Sequence, residues 1–233
     1  MKRLFTFGCS FTNYRWSTWA DCLAPEFDYF ENWGQSGAGN HYIFNSIMEA
    51  DQRYNFGPYD TVVVCWTNVI REDRYTDRWQ TLGNVTTCPI YNPDYVHDAV
   101  TERGCLVRDL AMIKAATVLF NSKRRPFRWQ YLSMCPIGNP QQFDNVQSQD
   151  QDVLDLYNGV LNKILPSFQE TIFKNGWKQS DDPHPTPSEH LAYLDTVLPG
   201  WVTKQSTRVK MHEESINLNK DPHRSGMSKV TRL

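Results

Sequence analysis

Arg3-Leu4-Phe5-Thr6-Phe7-Gly8-Cys9-Ser10-Phe11-Thr12 is a short apolar run that breaks at a glycine and delivers a serine two residues later. Residues 3–7 are spaced and branched as a buried strand, Gly8 permits a sharp exit, and Ser10 falls at a strand-to-helix turn. Three further apolar runs have the same character, at residues 29–33, 61–66 and 129–135. Helix-capable stretches alternate with them at 40–51, 105–122, 150–175 and 188–198, and Pro166 divides the third. Strands alternating with helices predict an α/β sheet of mostly parallel strands, which gathers ligand-binding residues at its carboxyl edge. Ser10 and Asn68 both fall just beyond such strand ends.

The chain has 233 residues and a formal net charge of −2, enough length for a full core in one domain and no basic balance of the kind nucleic-acid binders carry. No run reaches the roughly 18 apolar residues of a membrane span, and the apolar stretch at the start is too short for a signal-peptide core. Synthesis in a cytoplasm is the expectation. The six cysteines, Cys9, Cys22, Cys65, Cys88, Cys105 and Cys135, include no C-x-x-C pair and no metal-like cluster with histidine, so free thiols are expected. The rival is a Cys88–Cys105 pair under oxidising conditions.

Two segments break the alternation. Residues 71–104 are polar and aromatic without steady periodicity, and they follow directly on the strand that ends near Asn68. A connection of this length predicts an insertion or lid over the carboxyl edge. The tail, residues 202–233, carries seven Lys or Arg against three acids, a net +4 that leaves residues 1–201 at −6. Without an amphipathic helical face, and with Val209, Met211, Ile216 and Leu218 alternating with polar residues, it reads as a basic polar arm outside a 1–201 domain. Such an arm offers a homo-oligomer or larger assembly a strand to add.

The chemistry lies in two distant motifs. Ser10 has the position of a nucleophile. Asp181-Asp182-Pro183-His184-Pro185-Thr186-Pro187 places a histidine three residues after one carboxylate and two after another, directly before a helix. A serine, a histidine that takes its proton and a carboxylate that orients the histidine are the parts of a hydrolase. Taken singly, each has a plainer reading. Ser10 alone would cap a helix, Asn68 would sit in a turn, Gly37 and Gly39 would supply positive φ, and His184 would lie on the surface.

Four blocks in order resemble the SGNH, or GDSL-like, hydrolases: Gly8-Cys9-Ser10, with Cys9 in place of the usual aspartate; Asn32-Trp33-Gly34-Gln35-Ser36-Gly37-Ala38-Gly39-Asn40; Trp66-Thr67-Asn68-Val69, which keeps only the asparagine; and Asp181 to His184. The resemblance spans residues 8 to 184. It implies a flavodoxin-like three-layer α/β/α fold and a serine ester hydrolase with no metal or organic cofactor. By the same resemblance Ser10, His184 and Asp181 would be catalytic, with Asp182 the competing orienter. Ser10, Gly37 and Asn68 would form the oxyanion hole, with Gly39 and then Gly34 as alternative glycines.

Arg71, Trp66 and Trp33 are the expected substrate contacts, with Trp16, Trp19 and Trp79 as further candidates for stacking on sugar. His41 is a lesser candidate for the cleft, and His190 is expected to pack or cap. The preferred substrate is a small acyl ester, an acetylated carbohydrate above others. The first block is also similar to hydrolase-like proteins of bacteriophages, which implies a place in a phage particle. The rival function is a structural or glycan-binding virion or tail component that retains the fold.

Overall fold

A computed structural model describes residues 1–137, 150–177 and 184–218. Its core is a parallel sheet of β1 (Arg3–Phe7), β2 (Tyr29–Asn32), β3 (Asp60–Trp66) and β6 (Arg128–Ser133) in the order β2-β1-β3-β6. The register pairs Phe7 with Val64 and Trp66 with Ser133. Every residue of β3 is buried, as expected of a central parallel strand covered on both faces. A single parallel bridge from Tyr131 to Ile164 extends the order by one position. This is the flavodoxin-like arrangement.

Right-handed crossovers on this order put the connection from β1 to β2 on one face and those from β2 to β3 and β3 to β6 on the other. The packing agrees. Helix α2 (Asn40–Tyr54) touches α4 (Glu102–Ser122), whereas α1 (Trp19–Leu23) touches α8 (Pro187–Val197) and α9 (Gln205–Leu218). The result is three layers around one core that includes Phe5, Phe7, Val63, Trp33 and Trp66. Between β6 and α8 the chain forms α5 (Gln151–Leu156), α6 (Asn158–Leu161) and α7 (Phe168–Asn175), so the helix read over 150–175 is in three pieces. Pro166 lies in the last break, and Ser167 with Glu170 caps the restart.

The tail departs from the alternating-strand reading. Gln205–Leu218 is a helix, and Val202 and Met211 belong to the main core, so the boundary expected at 201 falls inside the packed body. Polar contacts hold this helix where an apolar stripe is lacking. Arg208 pairs with Asp195, Ser215 Oγ accepts from Ser188 N at 2.8 Å, and Glu214 accepts from Ser17 N at 2.9 Å.

Residues 71–104 also have more structure than their sequence suggests. They form an antiparallel hairpin of β4 (Arg71–Tyr75) and β5 (Trp79–Asn84), then α3 (Pro93–Ala99). All six cysteines are buried free thiols. Among the described residues no helix is long and apolar enough to cross a membrane.

Candidate active site

Beyond β1 the chain turns at once. The Cys9 carbonyl accepts from Thr12 N at 2.9 Å and Asn13 N at 3.2 Å, closing a tight turn with Ser10 inside it. Helix α1 begins only at Trp19, so Ser10 is no helix cap; the serine sits at a strand-to-turn junction. Gly8 is required by crowding, since a Cβ there would lie 2.0 Å from Thr12 Oγ1. Ser10 is 4 % exposed, and its Oγ lies 2.8 Å from His184 Nε2, across 174 residues of chain.

His184 is held from two sides. Two residues after it, Thr186 and Glu189 form a capping box with Pro187 in the first turn of α8, which sets the direction of the chain. From the serine side, Trp16 Nε1 donates to Pro185 O at 2.8 Å. Tyr14 stacks on the imidazole with ring centroids 3.9 Å apart and planes 15° from parallel, and the Arg15 guanidinium lies over the Tyr14 and Trp16 rings. Sequence reading missed Tyr14. The signal was its place in the aromatic run Tyr14-Arg15-Trp16 just past the nucleophile turn.

Asp181 and Asp182 lie outside the described residues. His190 is fully buried against Phe11 and Phe168, where burial pulls its imidazole down to about 3, so it stays neutral. It packs and does not titrate in the working range.

The second block is stitched to the serine turn. Gln35 N donates to Gly8 O at 3.0 Å, Asn13 Nδ2 to Gly34 O at 3.0 Å, and Asn32 Nδ2 to Thr12 O at 2.8 Å. Of its glycines, Gly34 N–H is committed to Asn32 Oδ1 at 2.9 Å and Gly39 N–H to Asp73 Oδ1 at 2.8 Å. Gly37 differs. It has φ +76°, and a Cβ there would meet Thr81 O at 2.2 Å, so only glycine fits. Two residues beyond the end of β3, Asn68 Oδ1 accepts from Ile70 N at 3.0 Å, closing the turn that follows the strand.

The hairpin supports this loop directly. Gly83 N donates to Gly37 O at 3.0 Å, Thr81 Oγ1 to Ser36 O at 2.9 Å and Gln35 Nε2 to Thr81 Oγ1 at 3.0 Å. Asp73 accepts from Gly39 N and Tyr42 N, both at 2.8 Å, at the start of α2. Burial pushes the Asp73 carboxyl up to about 6, and that of Asp109, which accepts from Asn40 Nδ2, also to about 6. Arg71 donates to Ala38 O at 3.0 Å and lies against Met134 Sδ, bracing the second block. His41 faces the hairpin, edge-on to Trp79.

Two expected substrate contacts are corrected. Trp33 and Trp66 are both 0 % exposed, packed in the core with Phe7 and Tyr131 respectively, and present no face to a ligand. Trp19 is likewise buried, and Trp16 is spent on the His184 loop. The nearby thiols Cys65 and Cys135 are poor nucleophiles, because burial raises Cys65 well above its usual value and pushes Cys135 up to about 12.

No family model matches the chain, and no curated protein matches it either. Among solved structures it is similar to a GDSL-like lipase from Bacteroides thetaiotaomicron, at 16% identity and TM-score 0.44 over 90% of this chain and 89% of that one. It is also similar to the psychrotrophic esterase EstA from Pseudoalteromonas, at 12% identity and TM-score 0.41 over 95% and 100%. A third is a member of the lipolytic protein G-D-S-L family from Veillonella parvula, at 14% identity and TM-score 0.35 over 95% and 100%. Likenesses this distant leave the site to be read from its own geometry.

Proposed function

We propose that the chain is an SGNH-type serine ester hydrolase that removes a small acyl group, acetyl above others, from a carbohydrate or other polar ester. The observation that carries this reading is the 2.8 Å contact between Ser10 Oγ and His184 Nε2. A fold kept only for assembly has no need of that pair.

In the proposed reaction Ser10 Oγ attacks the ester carbonyl carbon while its proton passes to His184 Nε2. The carbonyl π electrons move to oxygen, and the resulting charge is received by the N–H groups of Ser10 and Gly37 and the Asn68 side-chain amide. Gly37 is preferred to Gly34 and Gly39 because those two already donate to Asn32 and Asp73. The intermediate collapses as His184 returns the proton to the departing alcohol, leaving Ser10 acylated. Water then repeats the sequence and frees the acid. Asp181 would orient His184 through its other ring nitrogen. Arg71 serves by holding the Ala38 carbonyl next to Gly37.

A polar substrate is favoured by the hairpin, which presents the exposed Tyr75 ring beside Trp79 and the charged pair Glu72–Arg74. The test is hydrolysis of p-nitrophenyl acetate, p-nitrophenyl decanoate and acetylated xylan by the protein and by Ser10→Ala. The expectation is acetate release from the first and third, with the variant down by about a thousandfold or more. Equal rates in both proteins would remove Ser10 as nucleophile, and preference for the decanoate would remove the small-acyl assignment.

A further inference from the structure

At the opposite end of the sheet from Ser10, the amino ends of β1, β3 and β6 open onto a cleft of about 340 Å³. Its walls include Lys2, Phe27, Tyr59, Arg128 and Trp201. The Arg128 guanidinium lies 3.5 Å from the Trp201 ring centroid, which is face-to-face stacking distance. Stacking occupies the face of the guanidinium and leaves its N–H edge to receive a planar oxyanion. Among the described residues the exposed Arg128 has no carboxylate partner.

The acids in the same cleft do not neutralise it. Asp60 is taken by Arg3 Nε at 2.6 Å, Arg3 Nη2 at 2.8 Å and Gly57 N at 2.7 Å. Glu26 accepts from Thr203 N, Thr203 Oγ1 and Lys204 N. Among the described residues Arg128 thus pairs with neither acid, and Lys2 is a second cation in the same wall. Tyr59 is 73% exposed and, with the half-buried Phe27, adds flat apolar wall.

We infer that this cleft is a binding site, separate from the Ser10 site, for a carboxylate-bearing sugar residue such as a uronic acid. The carboxylate would sit on the Arg128 edge with Lys2 beside it, and the ring would lie against Tyr59 and Phe27. A singly charged carboxylate suits the cleft better than a phosphate dianion, which would meet the paired but still negative Asp60 and Glu26. Cleft volume and mixed lining fall within the ordinary range for small-ligand sites, roughly 300–1,000 Å³. The inference does not depend on the ester-hydrolase reading.

The test is titration of the 15N-labelled full chain, following the indole N–H resonance of Trp201, identified by its loss in Trp201→Phe. The probes are D-galacturonate, D-galactose, acetate and inorganic phosphate. Galacturonate should shift that resonance saturably in the millimolar range, with the other three at least about tenfold weaker. Arg128→Gln, and separately Lys2→Gln, should weaken galacturonate binding, the former by about tenfold or more, while p-nitrophenyl acetate hydrolysis stays unchanged. Absence of a galacturonate shift, or undiminished binding in Arg128→Gln, would overturn the site. Acetate or phosphate binding as tightly as galacturonate would overturn the sugar assignment.

Discussion

Tyr14 lies flat on His184, the two ring centroids 3.9 Å apart and the planes 15° from parallel, and the same imidazole reaches Ser10 Oγ through Nε2 at 2.8 Å. An aromatic face is electronegative, so it favours the imidazolium that the proposed reaction forms on His184. A contact of this kind is worth about 0.5–1 kcal/mol. Tyr14→Leu should therefore lower kcat/KM and move the acid limb of its pH profile to lower pH, whereas Tyr14→Phe should leave the limb in place. A limb unmoved in Tyr14→Leu would reduce Tyr14 to packing.

His190 works against the fold in acid. Its imidazole is held neutral down to about pH 3 by burial, whereas in the unfolded chain it binds a proton near pH 6.5. The unfolded state therefore gains protons first, and stability falls as pH drops from about 6.5 towards 3. At pH 5 this amounts to about 2 kcal/mol. Among the described residues the Nδ1 atom has no hydrogen-bond partner, so an apolar replacement strands none of them. His190→Leu should lose less stability than wild type between pH 7.5 and 5, read from urea midpoints.

Asp73 works in the opposite sense. Its folded pKa, raised to about 6, lies above the ordinary carboxylate value of about 3.9, so between those limits the folded state binds the proton more tightly and acid favours it. Relative to Asp73→Asn, wild type should gain stability as pH falls from 7 to 5. In the proposed reaction the acid limb of kcat/KM comes from the base His184, so it should persist in Asp73→Asn. Asp73→Ala, which strands the N–H groups of Gly39 and Tyr42, should cost about 1–3 kcal/mol.

The packed body ends later than the charge pattern suggests, and this can be checked by truncation. A chain ending at Leu218 keeps Met211 in the core and the Arg208–Asp195 pair. A chain ending at Trp201 loses Met211 and the Arg208–Asp195 pair, and should be less stable by several kcal/mol. Comparable stability of the two truncations would place α9 outside the cooperative unit.

The parts of the fold legible in the sequence are those where burial dictates composition. Leu4 to Phe7 and Thr61 to Trp66 are apolar on both faces because parallel strands are covered on both, and the ends of those runs located Ser10 and Asn68. The hairpin was illegible for the converse reason. Strand β4 reads Arg-Glu-Asp-Arg-Tyr, and its buried residue is the carboxylate Asp73, held by backbone donors and not by apolar packing. Helix α9 was missed likewise, since its docking is largely polar. Trp33 and Trp66 were misplaced as ligand contacts because nearness in sequence to a motif does not say which way a side chain points; both point into the core.

The central claim is that Ser10 is a nucleophile activated by His184. Its most direct test is mass spectrometry after treatment with a fluorophosphonate. The account predicts a single adduct on the peptide carrying Ser10, formed more slowly as pH falls through the range where an imidazole protonates, and absent in Ser10→Ala and His184→Ala. An intact unmodified mass for the folded wild-type protein, or an adduct that persists in Ser10→Ala, would contradict it.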